Sequence, residues 1–174
     1  MARDRQKTEL FAVGSTGTHS RQDIGSKTLA GEALREGIFS DRGALGVHYV
    51  LRRSGTIEIG RDIQAEGQHL SGFNDVCVYI LLVGGCDKFG QAEDNFTRAQ
   101  LESLEALVKV LWLTYPSAIL APQHELTAGR NIGLDLWKWE TETVNSGHER
   151  RLREYLATRV GPNEAVVAEL FNAD

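Results

Sequence analysis

The sequence predicts an α/β domain, and three observations carry that prediction. Val76 to Val83 is a nearly all-apolar run, the pattern of a strand buried on both faces. After Thr97, the residues Leu101, Leu104, Val108, Leu111 and Tyr115 recur at spacings of three and four, the stripe of an amphipathic helix. Strand-like and helix-like segments alternate along the chain, and such interleaving implies helices layered on a sheet. The 174 residues suit one such domain, since a chain of roughly 150 residues already buries about 70% of its unfolded surface.

In chain order, Glu9 to Val13 reads as a short apolar strand and Gly14 to Gly25, rich in Gly, Ser and Thr, as a loop. Ser26 to Phe39 carries Leu29, Ala33 and Leu34 at helical spacing and ends near Gly37. Val47 to Arg53 and Thr56 to Arg61 flank Ser54-Gly55, a hairpin signature, and Ile63 to Asp75 is a polar loop. Thr97 and Gln100 form a capping box at the start of the long helix, in which each side chain satisfies an orphan amide of the first turn. Pro116 stops that helix. Ala118 to Ala121 is a further strand, Pro122 to Gly133 a loop, and Leu136, Trp137 and Trp139 open a closing helix. His148 to Val160 puts Leu152, Tyr155, Leu156 and Val160 on one face and Arg150, Arg151 and Arg153 toward the other. Gly161-Pro162 breaks it, and Asn163 caps a short last helix holding Val166, Val167, Leu170 and Phe171.

The net charge of −5, from 24 acidic and 19 basic residues, argues against nucleic acid as a partner, which needs a basic face. Two cysteines, Cys77 and Cys86, make no disulfide framework and read as buried thiols. The first residues are charged with no apolar stretch behind them, so no signal peptide is expected. No apolar run approaches the roughly 20 residues that span a membrane. The chain is therefore expected in a cytoplasm, or in a particle packed from there.

Several blocks carry a resemblance in order from about Leu10 to about Trp139: Gly46-Val47-His48-Tyr49, the run Ser54 to Asp62, Gly72-Phe73-Asn74, Leu82-Val83-Gly84-Gly85, Phe96-Thr97-Arg98-Ala99-Gln100 and His124-Glu125-Leu126. Together they resemble the bacteriophage amidase-type lysozymes, zinc N-acetylmuramoyl-L-alanine amidases related to peptidoglycan recognition proteins. The resemblance implies a central mixed β-sheet flanked by helices over residues 1–145. Residues 146–174 are then a C-terminal helical extension outside it.

The resemblance also implies a zinc held by two histidines and a cysteine, assisted by a tyrosine and a lysine. Zinc in such a site lowers the pKa of its water and polarises the amide carbonyl. The matching ligand positions here are Val13, Gln123 and Asn131, and the assisting positions are Val47 and Gly129. Valine has no lone pair, and an amide oxygen is a poor zinc ligand. The expectation is therefore a vestigial site with no zinc and no cofactor. His48, His69, Asn74 and His124 are candidates for the old groove, and His19 is the one histidine that a shift in register brings toward the lost ligands.

From these residues the sequence favours a pseudo-amidase, not an enzyme, serving as a virion component or as a regulator that binds a phage structural protein or a polymerase. Some phage lysozymes of the resembled family bind the phage RNA polymerase. Leu152, Tyr155, Leu156, Leu170 and Phe171 are the expected interface, to a partner or to a second copy. The alternative is a peptidoglycan amidase, an endolysin, with displaced zinc ligands, or a weak peptidoglycan binder.

Overall fold

The computed structural model of the chain describes residues 3–35 and 45–160. Among them the elements run β1 (Leu10–Ser15), α1 (Ser26–Arg35), β2 (Tyr49–Leu51), β3 (Ile57–Ile59), β4 (Cys77–Leu82), α2 (Arg98–Thr114), β5 (Ile119–Pro122), α3 (Gln123–Leu126), α4 (Leu136–Thr143) and α5 (His148–Val160). The strands form one mixed sheet in the order β3-β2-β4-β1-β5. β2, β4, β1 and β5 are parallel, and β3 returns antiparallel to β2 through the Ser54-Gly55 turn. The mixed α/β architecture expected from the sequence is the one observed.

Successive side chains of a strand point to opposite faces, so β1 feeds two cores. Phe11 and Val13 join Val78, Ile80 and Leu120 beneath Leu104, Val108 and Leu111 of α2. Leu10 and Ala12 join Val50, Cys77, Tyr79 and Ala121 on the other face, which α1 and α5 help cover. α2 begins at the expected capping box: the Thr97 hydroxyl accepts the Gln100 N–H at 3.1 Å, and Gln100 Oε1 accepts the Thr97 N–H at 3.0 Å. Gln100 does more than cap. It is buried, and its Nε2 donates to the carbonyls of Leu51 (3.1 Å) and Val83 (2.9 Å), tying the helix start to the ends of two strands.

Two expectations change. The stretch after β5 is not all loop, because Gln123–Leu126 turns once as α3. The apolar face of α5 is not a free interface. Leu152 is fully buried among Leu10, Ala12 and Ala121, with Tyr155 and Leu156 packed on the same cluster. The sequence shows this face to be apolar but not what covers it, and the chain's own sheet does. Leu170, Phe171 and the expected last helix lie outside the described residues, as do residues 36–39 of the expected first helix.

Candidate functional site

The parallel strands all end on one edge of the sheet, where Ser15, Leu51 and Leu82 hand over to loops and Pro122 to α3. Ligands of α/β sheets bind outside such carboxyl ends. β1 and β5 finish side by side, with Val13 registered on Pro122, and Gln123 follows at once. Tyr79, on the neighbouring strand β4, reaches across Gly14 and donates its hydroxyl to Gln123 Oε1 at 2.5 Å. A side chain on Gly14 would collide with that phenol, so glycine there makes the crossing possible. Tyr79 is 4% exposed, and burial pushes its pKa up, so it stays a neutral donor. His69 lies edge-on to the Tyr79 ring with centroids 6.0 Å apart.

The family positions do not come together as a metal centre. Val13 is fully buried in the core beneath α2, whereas Val47 sits in the cluster on the opposite face. The amide oxygen of Gln123 is taken by Tyr79, and that of Asn131 accepts the Gly133 N–H at 2.8 Å. Gly129 has no side chain to offer. As they stand, these residues do not fit a zinc ion, which needs at least three donors. Among the described residues no group of three His, Cys, Asp or Glu is arranged to hold a metal.

The histidines divide by place. His48 is fully buried in the core, not on a groove wall. Its Nδ1 accepts the Tyr79 N–H at 2.9 Å, so the proton is on Nε2, 2.9 Å from the Ala65 carbonyl. Burial, aided by nearby Arg5 and Arg61, depresses its pKa to about 4. His124, at the start of α3, is half-buried, and its Nδ1 has no hydrogen-bond partner. Burial lowers the pKa of His124 and, together with the Arg61 charge, that of His69, so both favour the neutral ring. Asn74 is engaged within its own loop. Its Oδ1 accepts the Leu70 N–H at 2.9 Å and closes its own loop. His19 stands apart, lining an open cleft of about 670 Å³ with Ser20, Arg21, Asp87, Lys88, Phe89 and Glu93.

Tyr79 was not among the sequence candidates. The signal was available: it is the single residue with a polar tip inside the apolar run Val76 to Val83, and such a tip needs a partner when buried. Arg130, whose Nη1 meets Cys86 Sγ at 3.2 Å, gave no signal, because the pair is far apart in sequence.

No family model matches the sequence. The fold recurs in solved structures. The Ph2119 endolysin from a Thermus scotoductus bacteriophage superposes with a TM-score of 0.65 at 23% identity, covering 82% of this chain and 88% of that one. Drosophila PGRP-LB gives 0.66 at 14% identity, covering 85% and 88%. The N-acetylmuramoyl-L-alanine amidase LysC from Clostridium intestinale gives 0.62 at 20% identity, covering 78% and 84%. The fold is thus that of the amidases and peptidoglycan recognition proteins. In sequence, the endolysin of Klebsiella phage KP32 is 34% identical over 146 residues, 83% of this chain and 94% of that protein. The endolysin of Escherichia phage T7 is 32% identical over the same shares. The chain belongs to this phage endolysin family. The expectation that it is not an enzyme is corrected by these relatives, since those at 32–34% identity over most of the chain carry the name endolysin. Substitutions at five positions had outweighed the rest of the sequence in that expectation.

Proposed function

We propose that this chain is a peptidoglycan-directed endolysin of phage origin that engages the cell-wall polymer at the carboxyl edge of β1 and β5, with no zinc at Val13, Gln123 and Asn131. Family membership supports the polymer as substrate. The Tyr79–Gln123 pair, flanked by His69, supports the place and carries the reading. Tyr79 consumes the Gln123 oxygen, which leaves the Gln123 N–H₂ group free to donate and the phenol oxygen free to accept. N-acetyl and peptide amides of the polymer need this kind of neutral donor and acceptor. His48 and Asn74 act behind the site as scaffold.

Because the donor set does not fit zinc, no catalytic step is routed through a metal. Amide cleavage is expected to be slower than in a zinc-bearing endolysin, as no cation at these positions polarises the carbonyl. The net charge of −5 opposes long-range attraction to anionic wall polymer, so short-range hydrogen bonds have to supply the affinity. The test is co-sedimentation with purified sacculi, with release of free alanine amino groups measured in the same tubes. Binding that survives raised salt, together with slow release, is expected. A protein that stays in the supernatant at every salt concentration overturns the reading.

A further inference from the structure

The loop from Gly67 to Asp75 carries His69 to the Tyr79 ring and is a compact unit. Leu70 is buried, and its N–H donates to Asn74 Oδ1. The Gly67 N–H donates to the Asn74 carbonyl at 3.3 Å, and the Phe73 N–H to the Leu70 carbonyl at 2.8 Å. The tip of this unit is gripped from outside. Arg159, in the last turn of α5, donates through Nη2 to the Gly72 carbonyl at 2.7 Å. Its guanidinium lies 5.0 Å from the centroid of the Phe73 ring. Nη1 donates to the Tyr155 hydroxyl at 2.7 Å, and that hydroxyl donates to Glu9 Oε2 at 2.6 Å. Asp75 approaches the same guanidinium at 3.9 Å.

The other end of α5 is fixed independently. His148 Nδ1 accepts the Leu120 N–H at 3.2 Å, and the ring stacks on Trp112 at 4.8 Å. Arg151 Nη2 donates to the Ser117 carbonyl at 2.8 Å. Helix α5 is thus anchored at β5 and grips the His69 loop with its final turn.

We propose that α5 is a strap and Arg159 its positioning residue, holding the Gly67–Asp75 loop so that His69 stays against Tyr79 for ligand engagement. The planar fork of arginine suits the task, because one group spans a carbonyl, a phenol and an aromatic face. A lysine there keeps the charge near Glu9 and Asp75 but cannot make all three contacts.

The ligand part of this inference rests on the function proposed above, and the experiment separates the two. Hydrogen exchange and co-sedimentation with sacculi are measured for the full chain, Arg159→Ala and Arg159→Lys. Arg159→Ala is expected to speed exchange at residues 67–75 while leaving β1 and β4 protected, and to weaken sedimentation several-fold. Arg159→Lys is expected to rescue little of either. Unchanged exchange at residues 67–75 overturns the strap. Faster exchange with unchanged sedimentation overturns the positioning role, and so does full rescue by lysine, which marks a purely electrostatic tether. If the unsubstituted chain does not sediment, the function proposed above falls, and the strap is judged on exchange alone. Should Arg159→Ala fail to fold, Phe73→Leu removes only the ring beneath the guanidinium and is expected to give the same local change in smaller degree, its absence again overturning the strap.

Discussion

Two glutamines stand at the carboxyl edge of the same sheet and do opposite things. Gln100 is fully buried, and its amide is spent on the structure: Oε1 accepts from Thr97, and Nε2 donates to Leu51 and Val83. Gln123 is half-buried, with its oxygen taken by Tyr79 and its nitrogen still free to donate. A fully satisfied buried amide is a fastening, whereas one with spare capacity at a strand end is a point of recognition. The β2–β4 half of the edge therefore reads as scaffold and the β1–β5 half as site. Substitutions on the two halves should fail in different currencies, stability for one and ligand binding for the other.

The largest effect belongs to the scaffold half. Gln100→Ala leaves the half-buried Thr97 N–H without its acceptor and takes one donor each from the carbonyls of Leu51 and Val83, which keep the Val83 N–H (3.0 Å) and Arg53 Nη1 (3.5 Å). At about 1 kcal/mol for each hydrogen bond lost, the expected loss is about 3 kcal/mol. Denaturant unfolding should register it as a lower midpoint. The protein that remains folded should bind sacculi as before. A loss under about 1 kcal/mol would break the contrast, because Gln100 would then be no more structural than Gln123.

Acid tests the same division among the histidines. His48 and His148 are buried, and burial depresses each pKa from 6.5 to about 4. The unfolded chain therefore binds more protons than the folded one between pH 6.5 and pH 4, and stability falls as pH falls through that window. Each histidine should cost about 2 kcal/mol between pH 7 and pH 5. Unfolding curves across that range check it, and a flat profile would mean that neither ring is held neutral. His148→Asn should remove part of the slope, since its Nδ1 accepts from Leu120 at the anchor of α5.

Much of the scaffold half was legible in the sequence. Thr97 and Gln100 announce a capping box through local spacing alone, and Val76 to Val83 announces a central strand through composition alone. The two bonds from Gln100 to strand ends were not legible, because they join residues 17 and 49 positions apart. The site half was harder to read. Val13, Gln123 and Asn131 could be named from the resemblance, but spacing could not show that Tyr79 crosses Gly14 to reach Gln123. The apolar face of α5 was visible, but its destination was not. A stripe of Leu152, Tyr155 and Leu156 looks the same whether it meets a partner or the chain's own sheet, and only the burial of Leu152 in the cluster that holds Leu10 and Ala12 decides.

Rebuilding the family ligands tests how far the site half has diverged. Val13→His, Gln123→His and Asn131→Cys together supply three zinc donors. Position 13 points into the apolar core beneath α2, so an imidazole there is buried with a polar atom unpaired, at a cost of about 1–3 kcal/mol. The Tyr79 hydroxyl reaches across Gly14 to hold the side chain at 123, on the sheet face opposite to position 13, and so competes for one of the three donors. The triple variant is expected to be less stable and to bind zinc weakly by elemental analysis, and adding Tyr79→Gly should raise the zinc content. One tightly held zinc per chain with Tyr79 in place would show that the phenol is no obstacle.

The smallest stability effect, and the sharpest test of the comparison, is Tyr79→Phe. The ring remains, so the packing against Ala12 and His69 is kept, and only the hydroxyl bond to Gln123 is lost. One neutral hydrogen bond contributes about 1 kcal/mol. The Gln123 oxygen is only half-buried and can turn to water, which lowers the cost further. The change in binding should be larger than that cost suggests. Without the phenol, Gln123 is free to rotate, and the fixed direction of its N–H₂ group is lost along with the acceptor oxygen of Tyr79. Sedimentation with sacculi is therefore expected to weaken several-fold while the melting temperature shifts by only a few degrees. The opposite result, a clear drop in stability with binding intact, would place Tyr79 and Gln123 with Gln100 as fastenings and move the search for the site to the cleft beside His19.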